Sequence, residues 1–305
     1  MWRQVLARLG ASLVVAWGSI TVAFLALHAL PGQVEDILAG DLDYPGLREA
    51  IAAEWGLDRG IGEQYVAFVT RIASGDFGMS YELRQPVTDV VASQLLPTVY
   101  LAATAGILAF SIAVVLATLT SGRGRVARRI ASIVELTFAS TPVFWIGILL
   151  LMVFSFNLRW FPVSGAEGWR SLVLPAITLA LPTAGLLTQV LRDAIEKTLD
   201  QPFVTTLRAR GLSERQIRVQ HVLRHAALPM MTLGGWIIGG LLGGAVITEK
   251  VFGRPGLGTT TLNAVLSHDV PVVLAVVLLA AFIYVAASTI LDVLYVIIDP
   301  RLKAQ

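Results

Sequence analysis

Four histidines, three lysines, a glycine-rich run and no cysteine are most of what this sequence offers for chemistry, and their spacing limits each possibility. His221 and His225 stand at i and i+4 and would share one face of a helix, as metal-binding pairs do, but no third ligand lies nearby in the chain. His28 and His268 sit beside apolar runs, on the side where a passing ligand would be met. None of Lys197, Lys250 and Lys303 follows a glycine, so there is no Gly-x-x-x-x-Gly-Lys-[Ser/Thr] loop to cradle nucleotide phosphates. A His-Glu-x-x-His metal site and a Gly-x-Ser-x-Gly nucleophile elbow are absent as well. Without cysteine, disulfides and thiolate sites are excluded. The ionisable groups inside apolar runs are His28, Glu135 and Asp292, each nearer an end of its run than the middle. That placement suits carboxylates satisfied by cationic or backbone partners at helix ends better than a proton relay at mid-membrane.

The elements that must position these groups follow from composition. A chain of 305 residues that is 55% hydrophobic and 14% charged, with mean hydropathy +0.73, carries more apolar surface than one soluble core can bury. A bilayer-spanning helix needs about 20 mostly apolar residues. Six such runs occur, near Leu9–Leu30, Leu95–Thr120, Ile130–Asn157, Ser171–Leu191, Ala226–Thr248 and Val272–Ile298. The expected fold is therefore an all-α polytopic membrane protein of about six transmembrane helices. Its expected parts are a first span in 1–30, a helical insertion in 31–94 and a five-helix core in 95–305. Arg3 and Arg8 precede the first run, which is too long and lacks the small-residue cleavage site of a signal peptide.

Basic residues alternate with the spans. They gather at the N-terminus, in 121–129, in 192–225 and in the tail with Arg301 and Lys303, all on one side of a six-span arrangement. The positive-inside rule assigns that side, with both termini, to the cytoplasm. The opposite side agrees: 31–94 holds eleven acidic residues against four arginines. The basic pI of about 9.1 thus reflects topology, and the net charge of +2 gives no reason to expect nucleic acid.

Two extramembrane segments do more than join helices. In 31–94, Asp43 and Pro45 suggest a helix start before Leu47–Trp55, ended by Gly56, and a second helix is expected over Glu63–Ala73. The insertion suits a cap over the membrane domain, a docking surface for a soluble delivery protein, or both. In 192–229, Asp200-Gln201-Pro202 predicts the start of a short helix that continues through Phe203, Val204, Leu207, Arg208, Ala209 and Arg210 to Gly211, a natural C′ residue. After Leu212, Ser213-Glu214-Arg215-Gln216 predicts a capping box that opens a second helix. The apolar stripe of Phe203, Val204 and Leu207 can fit the groove of a soluble partner, and the arginines can equally lie against anionic headgroups. In the fifth run, Gly235, Gly239, Gly240, Gly243 and Gly244 suit a helix-packing seam or the wall of a pathway. Pro142, Pro175 and Pro182 are expected to kink spans three and four.

The stretch Leu207-Arg208-Ala209-Arg210-Gly211-Leu212-Ser213-Glu214, followed by His221-Val222-Leu223-Arg224-His225-Ala226-Ala227-Leu228-Pro229, resembles the EAA loop of ABC importer permeases of the dipeptide/oligopeptide/nickel family. Other marks fall in the family's order: Leu27-His28-Ala29-Leu30-Pro31-Gly32, Gly56-Leu57-Asp58-Arg59, Gly75-Asp76-Phe77-Gly78, Thr141-Pro142-Val143-Phe144-Trp145-Ile146-Gly147, Trp160-Phe161-Pro162-Val163-Ser164-Gly165, Val251-Phe252-Gly253-Arg254-Pro255-Gly256-Leu257-Gly258 and Asp292-Val293-Leu294-Tyr295 with Asp299-Pro300-Arg301. The sequence departs from the family pattern in lacking Glu-Ala-Ala itself, in carrying His225 where Asn is usual and in Gln33 where Asp is usual. The resemblance implies a passive membrane subunit of the type I fold in a bacterial cytoplasmic membrane, with a coupling loop at 192–229 and no cofactor of its own. It implies a second homologous permease, two ATP-binding subunits that carry ATP and Mg, an extracytoplasmic substrate-binding protein and contact with membrane lipid. Peptide is the implied cargo, with nickel, a metal chelate or another small solute as the alternative within the same architecture. An ion-coupled transporter or channel subunit is the alternative of a different class.

Overall fold

The computed structural model describes residues 2–122, 124–226 and 233–298. The marks at Leu228-Pro229 and Asp299-Pro300-Arg301, and the cations Arg123, Arg301 and Lys303, lie outside the described residues, as does the side chain of Asp292. The regular structure of the described chain is helical apart from one hairpin of two two-residue strands, and the chain divides into two compact units, one built from residues up to Thr98 with Pro255–Val296 and the other from Val99–Arg254.

Among the described residues, four helices carry apolar windows long enough to cross a bilayer: Gly10–Ala29, Val87–Thr120, Arg170–Leu199 and Val270–Ile290. A bent pair, Val126–Ser140 with Val143–Asn157, makes a fifth crossing if taken as one. The run read from sequence as 226–248 is described from Gly234, as the 18-residue helix Gly234–Val251.

In the first unit, α1 (Trp2–Ala29) is followed by α2 (Val34–Ala39), α3 (Leu47–Trp55) and α4 (Ile61–Ala73). A hairpin pairs Met79–Ser80 (β1) antiparallel with Gln85–Pro86 (β2), and α5 (Val87–Thr120) begins directly after it. The small helices bury one face against a long one. Ile20, Ala23 and Phe24 of α1 pack with Phe68 and Ile72 of α4, and Leu27 packs with Leu38, Leu47 and Ile51. The expected N-cap at Asp43 does not form: α3 starts at Leu47 behind Gly46, because the Asp43 carboxylate pairs with Arg48 at 2.7 Å. Gly56 closes that helix as expected, at φ 65°. The second helix of the insertion starts at Ile61, two residues before the expected Glu63. The second long helix starts at Val87 rather than near Leu95, because the hairpin ends there and Val87, Val90 and Val91 enter a buried cluster with Leu257, Ala264 and Val272.

The second unit is organised by small residues. Leu101, Ala105, Ala109, Ala113 and Ala117 recur every fourth position of α5 and are fully buried, in one cluster with Ala180, Ala184, Leu187 and Leu191 of α8 (Arg170–Leu199). Such a row lets helix backbones approach closely where no hydrophobic drive favours helix over lipid. The expected single span over Ile130–Asn157 is corrected: α6 (Arg125–Ser140) and α7 (Val143–Leu150) meet at a 100° bend, and α7 continues as a π-helical turn, Leu151–Asn157. Pro142 lacks an amide hydrogen and pushes Thr141 into the extended region, at φ −80° and ψ 129°, so the helix stops there. Pro175 and Pro182 lie inside the unbroken α8.

The crossing of α6 and α8 is close. A methyl group at Gly185 would come within 2.6 Å of the Glu135 carbonyl oxygen. Beside it, Arg192 donates to Glu135 at 2.7 Å and to Ser132 Oγ at 3.2 Å, with both members of the ion pair only 3% exposed. Glu135 therefore has the neighbouring cationic partner expected from its place near a span end.

Candidate functional site

The segment after α8 folds as the sequence predicts. Helix α9 (Pro202–Ala209) has Gln201 as N-cap and Pro202 at its first position, where a missing amide hydrogen is harmless. It ends in a Schellman motif: Gly211 N donates to the Arg208 carbonyl at 2.9 Å and Leu212 N to the Leu207 carbonyl at 3.3 Å. Gly211 has φ 82°, and no atom lies within 4 Å of where its Cβ would be, so glycine is required here by backbone conformation and not by space. The next helix opens on a complete capping box. Gln216 N donates to Ser213 Oγ at 3.3 Å, and Ser213 N donates to Gln216 Oε1 at 3.0 Å. Glu214–Gln216 (α10) leads into a π-helical stretch, Ile217–Val222, and then α11 (Leu223–Ala226).

Electrostatics brace the elbow. Arg208, at the C-terminal end of α9, donates two hydrogen bonds to Glu214 at 2.7 and 3.3 Å, and Glu214 stands at the N-terminus of the following helix. Each charge faces the helix-dipole end that favours it. The Arg208 hydrogen bond also holds the Glu214 carboxyl below the usual carboxylate range.

Packing fixes where the elbow sits in its unit. Val204 is fully buried, in one cluster with Leu191, Ile195, Ile217 and Val222, and Leu207 and Leu212 pack partly buried against it. The expected apolar stripe is thus divided: Val204 and Leu207 anchor the elbow to its own chain, and Phe203 stays 37% exposed against His225. An eight-residue helix cannot hold its place without such an anchor. Arg208, Ala209, Arg210, Gly211, Ser213 and Glu214 form the exposed crest. Arg218 supplies a tie that sequence did not reveal. It donates to the Ser121 carbonyl at 2.6 Å and to the Glu214 carbonyl at 3.2 Å, joining the elbow to the short basic loop after α5.

The remaining sequence candidates are spread over other elements. In α12 (Gly234–Val251), Gly244 faces Leu179 of α8, whose methyl would lie 2.6 Å from an added Cβ, whereas Gly239, Gly240 and Gly243 are exposed and Gly235 is half-buried. His28 hydrogen-bonds Gln64 and the Phe24 carbonyl, and His268 pairs with Asp41 at 2.9 Å, so the two have different partners. Among the described residues no three His, Cys, Asp or Glu side chains gather as metal ligands, and His225 packs at a tilt against Phe203. Two motifs meet at Arg254, which is 6% exposed and donates to the carbonyls of Gly165 and Ser171 at 3.3 and 2.9 Å. The arginine in 251–258 thereby holds the end of 160–165.

The profile of the family described as binding-protein-dependent transport system inner membrane component matches residues 109–304, which contain the elbow, the glycine helix and the Arg254 junction. The chain belongs to this family. The permease is 34% identical over 284 residues to the glutathione transport system permease protein GsiC of Salmonella choleraesuis (strain SC-B67), covering 92% of each chain. It is 33% identical over 283 residues to GsiC of Escherichia coli (strain K12), again over 92% of each. Among solved structures, an inward-facing form of the MetNI methionine ABC transporter has TM-score 0.58 at 16% identity, over 69% of this permease and 96% of that chain. The fold is that of a type I ABC importer permease, and the chain is the membrane component of such an importer.

Proposed function

We propose that this permease forms half of the translocation pathway of a peptide importer and that its elbow receives the movement of separate ATP-hydrolysing subunits. The observation that carries the reading is the elbow itself: a crest of Arg208, Ala209, Arg210 and Gly211, capped on both sides and anchored through Val204 and Arg218. A rigid exposed helix end tied to a buried cluster passes an applied force to α8 rather than absorbing it. Two ATP-binding subunits carrying ATP and Mg act from the cytoplasm, where the arginine-rich loops and both termini lie by the positive-inside rule. The acidic insertion 31–94 faces outward and takes a substrate-binding protein. A second, related permease completes the pathway, and the exposed Gly239, Gly240 and Gly243 line it or pack against that partner. The permease then alternates between outward- and inward-open states. Peptide cargo is supported by likeness to permeases named for glutathione transport.

The test is uptake by the complete importer in proteoliposomes. Reduced glutathione or short peptides are expected to enter only with binding protein outside and ATP at the cytoplasmic face. Uptake of nickel with no peptide under the same conditions would replace the cargo assignment. Uptake driven by an ion gradient without ATP would replace the mechanism.

A further inference from the structure

We propose that a polar cavity in the first unit is a subsite for the primary ammonium group at the N-terminus of the cargo peptide. This rests on the peptide reading above. The cavity has a volume of about 360 Å³ and is walled by the β-hairpin, the first turns of α5, the helix Leu257–Leu266 (α13) and the start of α14 (Val270–Ile298). Its polar lining includes Gln85, Asp89, Ser93, Asn263, Ser267 and Asp269, and among the described residues no lysine, arginine or histidine lines it. The floor is apolar, with Val90, Ala264 and Val272 belonging to a buried cluster.

An ammonium group brings three donors and one positive charge, and hydroxyl, amide and carboxylate oxygens without a competing cation match it. An anion would meet two carboxylates with no counter-charge. The volume lies at the low end of the range for small-ligand sites, suited to one terminal residue of a peptide and not to a whole oligopeptide.

One wall is built rigidly. Asp269 is 5% exposed, accepts a hydrogen bond from the fully buried Ser80 hydroxyl and caps Val272 N at 3.5 Å, and Ser80 Oγ in turn accepts from Leu83 N at 2.9 Å. Burial raises the Asp269 carboxyl above the usual carboxylate range, so a bound cation would lower the cost of keeping it charged. Asp89, on α5, is exposed and lines the cavity outside that network. The hairpin wall belongs to the outward-facing insertion, the side from which cargo arrives.

Because the permease has no cysteine, Asn263→Cys places a unique thiol of this subunit at the cavity. In the assembled importer, alanylalanine is expected to slow maleimide labelling of that thiol at least fivefold, with N-acetyl-alanylalanine at equal concentration having no effect. Adding Asp89→Asn is expected to remove most of the protection. Equal protection by both peptides, protection by neither, or full protection retained with Asp89→Asn would each overturn the subsite. Uptake of alanylalanine is followed in the same vesicles. Uptake without protection sinks the subsite and leaves the peptide importer standing, whereas protection without uptake of any peptide, glutathione included, sinks the peptide reading and the cargo subsite with it.

Discussion

Gly211→Val is expected to reduce cargo-stimulated ATP hydrolysis and uptake by the assembled importer at least tenfold while leaving the permease in the membrane. At φ 82° only glycine is unstrained, and an L residue there costs roughly 1–2 kcal/mol, more when β-branched. The strain is relieved by opening the Schellman turn, which breaks the bonds from Gly211 N to Arg208 and from Leu212 N to Leu207 and turns the crest away from its capped geometry. A cost of this size shifts a two-state equilibrium by about 5- to 30-fold. With open space around the added Cβ and the position on the exposed crest, the fold itself has no reason to fail. Gly211→Asn discriminates, since asparagine tolerates the left-handed region and is expected to retain most of the coupling. ATPase and uptake assays on the three proteins, with membrane yield as control, check this. Loss in both variants would mean that side-chain size, not turn geometry, governs the contact.

The second large effect is on stability. Arg192→Met removes the cation that faces Glu135 across the α6–α8 crossing, where both groups are 3% exposed. Removing one member of a buried pair costs about 3–5 kcal/mol, because the other charge is left without compensation. Little room exists for relaxation, since Gly185 brings the two backbones close at the same crossing. The yield of folded permease in detergent and its melting temperature are expected to fall sharply. The double replacement Glu135→Leu with Arg192→Met is expected to recover most of the loss, as buried pairs exchanged for apolar residues often do. Additive losses in the double variant would show that the two residues act independently.

Local chemistry was legible in the sequence and distant pairing was not. The elbow could be read because proline at a first helical position, glycine at C′ and a Ser-x-x-Gln box act within one turn of their own residues. Four of the apolar runs were equally plain; Ala226–Thr248 lies partly outside the described residues, and length misled at one other. Ile130–Asn157 looks like one span by composition, yet Pro142 bends it by 100°. Asp43 has the type and position of an N-cap, but Arg48 takes its carboxylate. The pairs that tie distant elements together, Arg192 with Glu135, Arg218 with Ser121 and Arg254 with Ser171, join residues 57, 97 and 83 positions apart, and no local pattern names such partners. The alanine row from Ala105 to Ala117 was present at fourfold spacing and carried the packing signal, though the glycines of α12 draw attention first.

Site-specific cross-linking from the elbow crest tests the central claim most directly. Ala209 is exposed beside Gly211, and Ala209→Cys gives this subunit a single thiol. In the assembled importer, a short bifunctional maleimide is expected to join that thiol to an ATP-binding subunit, and no such product is expected from a thiol on the outward insertion at Asp58. Cross-linking at Asp58 but not at Ala209, or reaction at Ala209 with lipid-phase reagents alone, would contradict the elbow's role as the point where ATP-driven movement enters the permease.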